Sequence, residues 1–82
     1  MSRYFFHING ERRYVDTDGL DLADLEAAKK EALKIISELM AGDAVGDIWL
    51  AGGWIMTVVD ETARELFSIR ISTSQRKGVG VG

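Results

Sequence analysis

The sequence predicts an α+β domain of ββαββ order, a four-stranded antiparallel sheet with one helix packed on one face. Three observations predict it. Strand-forming runs flank Asn9-Gly10 near the start and Asp60-Glu61-Thr62-Ala63 near the end, and both punctuations are turn signals. Between them lies a long stretch free of Gly and Pro whose apolar residues recur at helical spacing. The balance of 46 % hydrophobic and 28 % charged residues is that of an ordinary folded domain. At 82 residues the chain holds one domain, placed at 1–71, with the Ser/Thr/Gly-rich stretch 72–82 as a flexible tail.

Residues 3–8, Arg-Tyr-Phe-Phe-His-Ile, read as the first strand. A two-residue turn at Asn9-Gly10 returns the chain as a second strand over 11–16. Paired positions then sum to 19, so Phe5 faces Tyr14, His7 faces Arg12 and Arg3 faces Asp16. Tyr4, Phe6 and Ile8 share one side with Val15; Phe5, His7 and Tyr14 share the other. Asp16-Thr17-Asp18-Gly19 is a turn. Asp21 is the expected N-cap of a helix over 22–41, with Leu20 and Leu25 as its hydrophobic staple. Leu25, Ala28, Ala32, Ile35, Ile36 and Leu39 make one apolar stripe, and its alanines let the helix lie close to a sheet. Glu26–Lys30 supports the wet face, and Gly42 is the stop. The Gly-rich stretch 42–53 reads as a loop carrying Ile48-Trp49-Leu50. Residues 54–59 and 65–71 form the second hairpin, with Trp54, Met56 and Val58 on one side and Phe67, Ile69 and Ile71 on one side.

Composition removes several function classes. There is no Cys, hence no disulfide framework and no thiolate site. No apolar run reaches the roughly 20 residues that span a bilayer. The first residues lead straight into a strand, so no signal peptide, a cytoplasmic location and no membrane partner are expected. Net charge is −3, which gives no global attraction to nucleic acid. Small domains bury little surface, and self-association is one remedy.

An antiparallel sheet covered on one side normally shows a polar second face. Here that face is expected to hold Phe5, Tyr14, Ile55, Val59 and Leu66. Such an apolar patch marks association, so a homodimer, or docking of another protein, is the leading expectation. The interface candidates are Phe5, His7, Tyr14, Ile55, Val59 and Leu66, with Trp49 as a loop anchor or a lid on the core.

The opening Arg3-Tyr4-Phe5-Phe6-His7, the turn Asp16-x-x-Gly19 and the helix Leu22-x-x-Leu25-x-x-Ala28-x-x-x-Ala32 resemble a family of short bacterial proteins classified only as a domain of unknown function. Its members typically begin Met-x-Arg-Tyr-x-Phe-His and finish on a strand pair around a Trp and an Asp-Glu turn. Trp54, Asp60-Glu61 and Arg64 match that second half. The resemblance covers about residues 1–71. It departs at Ala63, where Gly is expected in the turn, and in the loop 42–53. It implies a small α+β domain and brings no activity, ligand or catalytic residue.

No motif carries chemistry. His7 is the only imidazole and lacks a second strong partner for a triad or a metal site, so it is read as structural. The stretch 16–21 fails the calcium-loop pattern, since Gly19 at position 6 puts Tyr14 at position 1 and Leu25 at position 12. Asp60 and Glu61 are turn residues. The glycines of the tail have no phosphate-loop spacing. The expectation is a non-catalytic interaction module with no cofactor and no metal. The alternative is a weak nucleic-acid-binding or regulatory module using Arg12, Arg13, Arg76 and Lys77 beside the hairpin aromatics. Few phosphate contacts are then available, so nucleic acid is the disfavoured partner.

Overall fold

The computed structural model describes residues 1–10, 13–42 and 52–74. The fold is α+β, with one helix and an open antiparallel sheet. Strands β1 (Ser2–Asn9), β2 (Arg13–Tyr14) and β3 (Leu20–Leu22) precede helix α1 (Leu25–Ala41), and β4 (Gly53–Val59) and β5 (Glu65–Ser72) follow it. The sheet runs β2-β1-β4-β5, and β3 also pairs with β1. Strand β1 is therefore interior. Its inner edge pairs with β4 and its outer edge is shared by two short strands, β3 at Ser2–Tyr4 and β2 at Ile8–Asn9.

Strand alternation sorts the side chains into two layers. Toward the helix, cross-strand rows run Phe6–Val58–Phe67, Ile8–Met56–Ile69 and Trp54–Ile71. With Tyr4 they pack on Ala28, Ala32 and Ile36 of α1, while Ile35 and Leu39 close the margin. Both alanines are fully buried, as are Met56 and Val58. Each of these two large side chains contributes roughly 1.5–3 kcal/mol by leaving water.

Three local readings change. First, the pairs Ile8–Tyr14 and Asn9–Arg13 leave three residues in the first connection, not two. The sum of paired positions is 22 instead of 19. Tyr14 thus joins the Ile8 side of the sheet, at its margin and 60 % exposed, and does not face Phe5. This register places Asp16 level with Phe6, where its carboxylate meets the Phe6 N–H at 3.1 Å. Arg3 accordingly pairs with Asp21, at 3.0 Å, and not with Asp16. His7 lies opposite Thr57 of β4.

Second, residues 20–22 are a fifth strand and not the staple, N-cap and first residue of the helix. The N-cap is Asp24, whose carboxylate accepts from the Ala27 N–H at 2.8 Å. Asp21 is drawn into the β1 ladder opposite Arg3, which removes it from the helix start and dissolves the Leu20–Leu25 staple. On the wet face, Glu26 meets Lys29 instead of Lys30. Gly42 does end the helix, donating its N–H to the Leu39 carbonyl.

Third, the β4–β5 ladder shifts between Val58 and Val59. Val58 pairs with Phe67 but Val59 pairs with Glu65, so Leu66 is the extra residue of a bulge. Leu66 packs on the helix-side core and leaves the outer face to which alternation assigns it. Strand β5 extends through Ser72, and the Thr73 N–H reaches the Gly52 carbonyl at 3.0 Å.

Candidate functional site

The face away from the helix is built from three cross-strand rows, Phe5–Val59–Glu65, His7–Thr57–Ser68 and Asn9–Ile55–Arg70. Phe5, Ile55 and Val59 occupy it as the sequence predicts. Phe5 and Ile55 are half-buried, and Val59 is only 9 % exposed although it stands outside the helix-side cluster. Tyr14 and Leu66 do not join them, for the reasons of register and bulge. Trp49, Arg12, Arg76 and Lys77 lie outside the described residues, so Arg13 alone represents the four basic candidates.

The outer edge of β1 carries the most polar structure. Between β2 and β3 the backbone ladder is interrupted, and Asp16 bridges the gap. Its Oδ2 accepts the Phe6 N–H, and its Oδ1 accepts the N–H groups of Asp18 at 3.1 Å and Gly19 at 3.0 Å. Partial burial pushes the Asp16 carboxyl up. The amide donors of Gly19, Phe6 and Asp18, with the nearby His7 imidazole, outweigh that and hold it below the ordinary carboxylate range. Gly19 closes the turn at φ 71°. A Cβ there would stand 2.8 Å from Arg3 Cγ and 2.9 Å from the Phe5 ring, so the turn and the Arg3 stem lie against Phe5. Arg3 ties the turn down further, donating to the Asp18 carbonyl at 2.6 Å.

His7 is part of the same seam. Its Nδ1 accepts the Asp16 N–H at 3.1 Å. A nitrogen that accepts carries no proton, so the neutral ring holds its proton on Nε2 and is a donor there. Next to it lies a concavity of about 260 Å³ lined by His7, Ile8, Asn9, Arg13, Tyr14, Val15 and Thr57. His7 faces Thr57 and Asn9 faces Arg13 in direct register, so these four side chains share the outer face. His7 thus joins Arg13, a pairing that the two-residue turn did not predict.

The remaining sequence candidates are structural. Asp60 Oδ1 accepts from the Thr62 hydroxyl at 2.7 Å, the Thr62 N–H and the Arg64 N–H. These bonds, the Thr62 hydroxyl first, lower its carboxyl pKa. Glu61 accepts the Arg3 N–H at 3.2 Å, tying the second hairpin turn to the start of β1. Among the described residues no group of three or more His, Asp or Glu could hold a metal ion, and no described helix is long and apolar enough to cross a membrane.

No curated protein matches the chain, and no solved structure does. A family model does match, over residues 3–72. That span takes in both hairpins, the helix and the seam on β1, and the chain belongs to the family described as a domain of unknown function, DUF6894.

Proposed function

We propose that this domain is a non-catalytic interaction module that self-associates through the outer face of its sheet. One observation carries the reading. The helix covers one side of the sheet, and among the described residues no helix or further strand covers the other, where Phe5 and Ile55 are half-buried and Val59 is buried. Apolar groups left partly exposed on a sheet face favour a second protein surface over water. The patch is smaller than the sequence predicts, because Tyr14 and Leu66 are absent from it, and its middle row is polar. It therefore suits a reversible contact rather than an obligate one.

Sedimentation velocity over a range from low to high micromolar protein tests the reading. A concentration-dependent dimer is expected, and Ile55→Glu, which puts a charge on the half-buried outer row, should return it to monomer. A chain that stays monomeric at the highest concentration refutes self-association. A dimer that tolerates Ile55→Glu moves the contact away from this face.

A further inference from the structure

The concavity beside β1 has a chemistry that association does not use. Four donors surround it. Arg13 supplies a guanidinium, His7 an Nε2–H fixed by the Asp16 N–H on its other nitrogen, Asn9 an amide and Thr57 a hydroxyl. Among the described residues no carboxylate lines it. The nearest acid on the seam, Asp16, has both oxygens occupied by backbone N–H groups. Among the described residues Arg13 has no ion pair. A solvent-facing cation beside neutral donors, with no described carboxylate in the lining, is a donor set that suits an anion.

We propose that this concavity is a binding site for the phosphate group of a small phosphomonoester. The donors come from two directions, Arg13 from β2 and His7, Asn9 and Thr57 from β1 and β4, all on the outer face. A tetrahedral group with three terminal oxygens can engage donors placed around it, whereas a planar carboxylate presents two oxygens in one plane. The histidine is held in position before the ligand arrives. Phe6 N–H, Asp16 and the His7 ring form a fixed chain, so orienting the Nε2–H costs little entropy on binding. The site is open to solvent, which fits a small polar ligand bound weakly. It lies within a single protomer but on the same outer face as the proposed contact, so the titration is run at a protein concentration where the chain is monomeric.

Amide spectra of ¹⁵N-labelled protein, titrated at constant ionic strength with inorganic phosphate, methyl phosphate or acetate, test the proposal. Saturable shifts at His7, Asn9 and Thr57 are expected with both phosphates, and binding of acetate should be about ten-fold weaker. Arg13→Gln, at an exposed position, should weaken phosphate binding about ten-fold or more, the loss of one charge-assisted hydrogen bond. Thr57→Val, nearly isosteric, should weaken it a few-fold and keeps the test decisive if the first variant misfolds. Imidazole ¹⁵N shifts should show the proton on Nε2. Shifts that never saturate, that match those of added chloride, or that survive Arg13→Gln overturn the site. Equal affinity for acetate overturns its assignment to phosphate, and a proton on Nδ1 removes the preset donor on which it rests.

Discussion

The two faces of one sheet are made by the same strands and behave differently. On the helix side, every cross-strand row between β1, β4 and β5 is apolar, and Met56 and Val58 are fully buried. One residue along, on the other side, the rows read Phe5–Val59–Glu65, His7–Thr57–Ser68 and Asn9–Ile55–Arg70. Two of these rows mix apolar with polar or charged groups, and the middle one is wholly polar. The first face is a closed core, whose members are chosen for volume. The second tolerates polar groups, and polar groups there remain available to a ligand or a partner. The lesson is that stability and recognition are segregated by strand periodicity, two residues per repeat.

The sharpest way to break this contrast is to truncate adjacent residues of β4. Met56→Ala should cost about 2–5 kcal/mol, since it leaves a cavity among fully buried neighbours. Ile55→Ala should cost only about 1 kcal/mol. Urea unfolding at low protein concentration measures both. Equal losses would mean that the outer face is as closely packed as the inner one. A loss for Ile55→Ala that grows with protein concentration would instead locate a partner on it.

Next in size is the seam that joins the faces at the outer edge of β1. Asp16→Ala strips acceptors from the Phe6, Asp18 and Gly19 N–H groups and should destabilise by about 1–3 kcal/mol. The Asp16 carboxyl titrates below its ordinary value of 3.8. A carboxyl lowered on folding stabilises fully above the unfolded value, and that stability is lost as pH falls through the folded one. Wild-type protein should therefore lose stability below about pH 3.8, and Asp16→Asn should show a flatter acid limb in the same unfolding series. An identical acid limb would remove Asp16 as its source.

A smaller effect tests where the helix that covers the inner face begins. Asp24→Ala should cost about 1 kcal/mol through the lost N-cap. Asp21→Ala, which removes only the solvent-exposed pair with Arg3, should cost less than about 1 kcal/mol. Reversal of that order in thermal unfolding would return the cap to Asp21. The smallest expected change is a gain. Ala63 sits at φ 66° in the β4–β5 turn, a left-handed conformation that strains any residue with a Cβ. Ala63→Gly relieves it and should stabilise by about 0.5–1 kcal/mol after the greater freedom of glycine in the unfolded chain is subtracted. A destabilised variant would show that the strain is compensated locally.

Much of this molecule was legible from residue order. Alternation in 54–59 and 65–71 identified the core side of β4 and β5, and the Leu25–Leu39 stripe identified the helix and its buried alanines. The family resemblance marked Ala63 as standing where Gly is expected, and its φ of 66° gives the reason. The candidate site was legible only in part. Phe5, Ile55 and Val59 followed from alternation, and His7 read as a structural residue or an interface candidate. Its link to Asp16 and its position beside Arg13 depend on a register offset by three from the one that the Asn9-Gly10 signal implies.

The sequence by itself determined the one helix, the strands β1, β4 and β5, and which side of each is apolar. Those properties depend on neighbours within one turn or one pleat, where chain geometry leaves little choice. Tertiary structure alone decided the pairing of β1 with β4, the recruitment of residues 20–22 as a strand, the bulge that turns Leu66 inward and the seam at Asp16. Each is a competition between alternatives of similar local energy, and contacts distant in sequence settle it. The carboxylate of Asp16 can reach the Phe6 N–H in only one register, and that choice carries Tyr14 to one side of the sheet and Arg13 to the other.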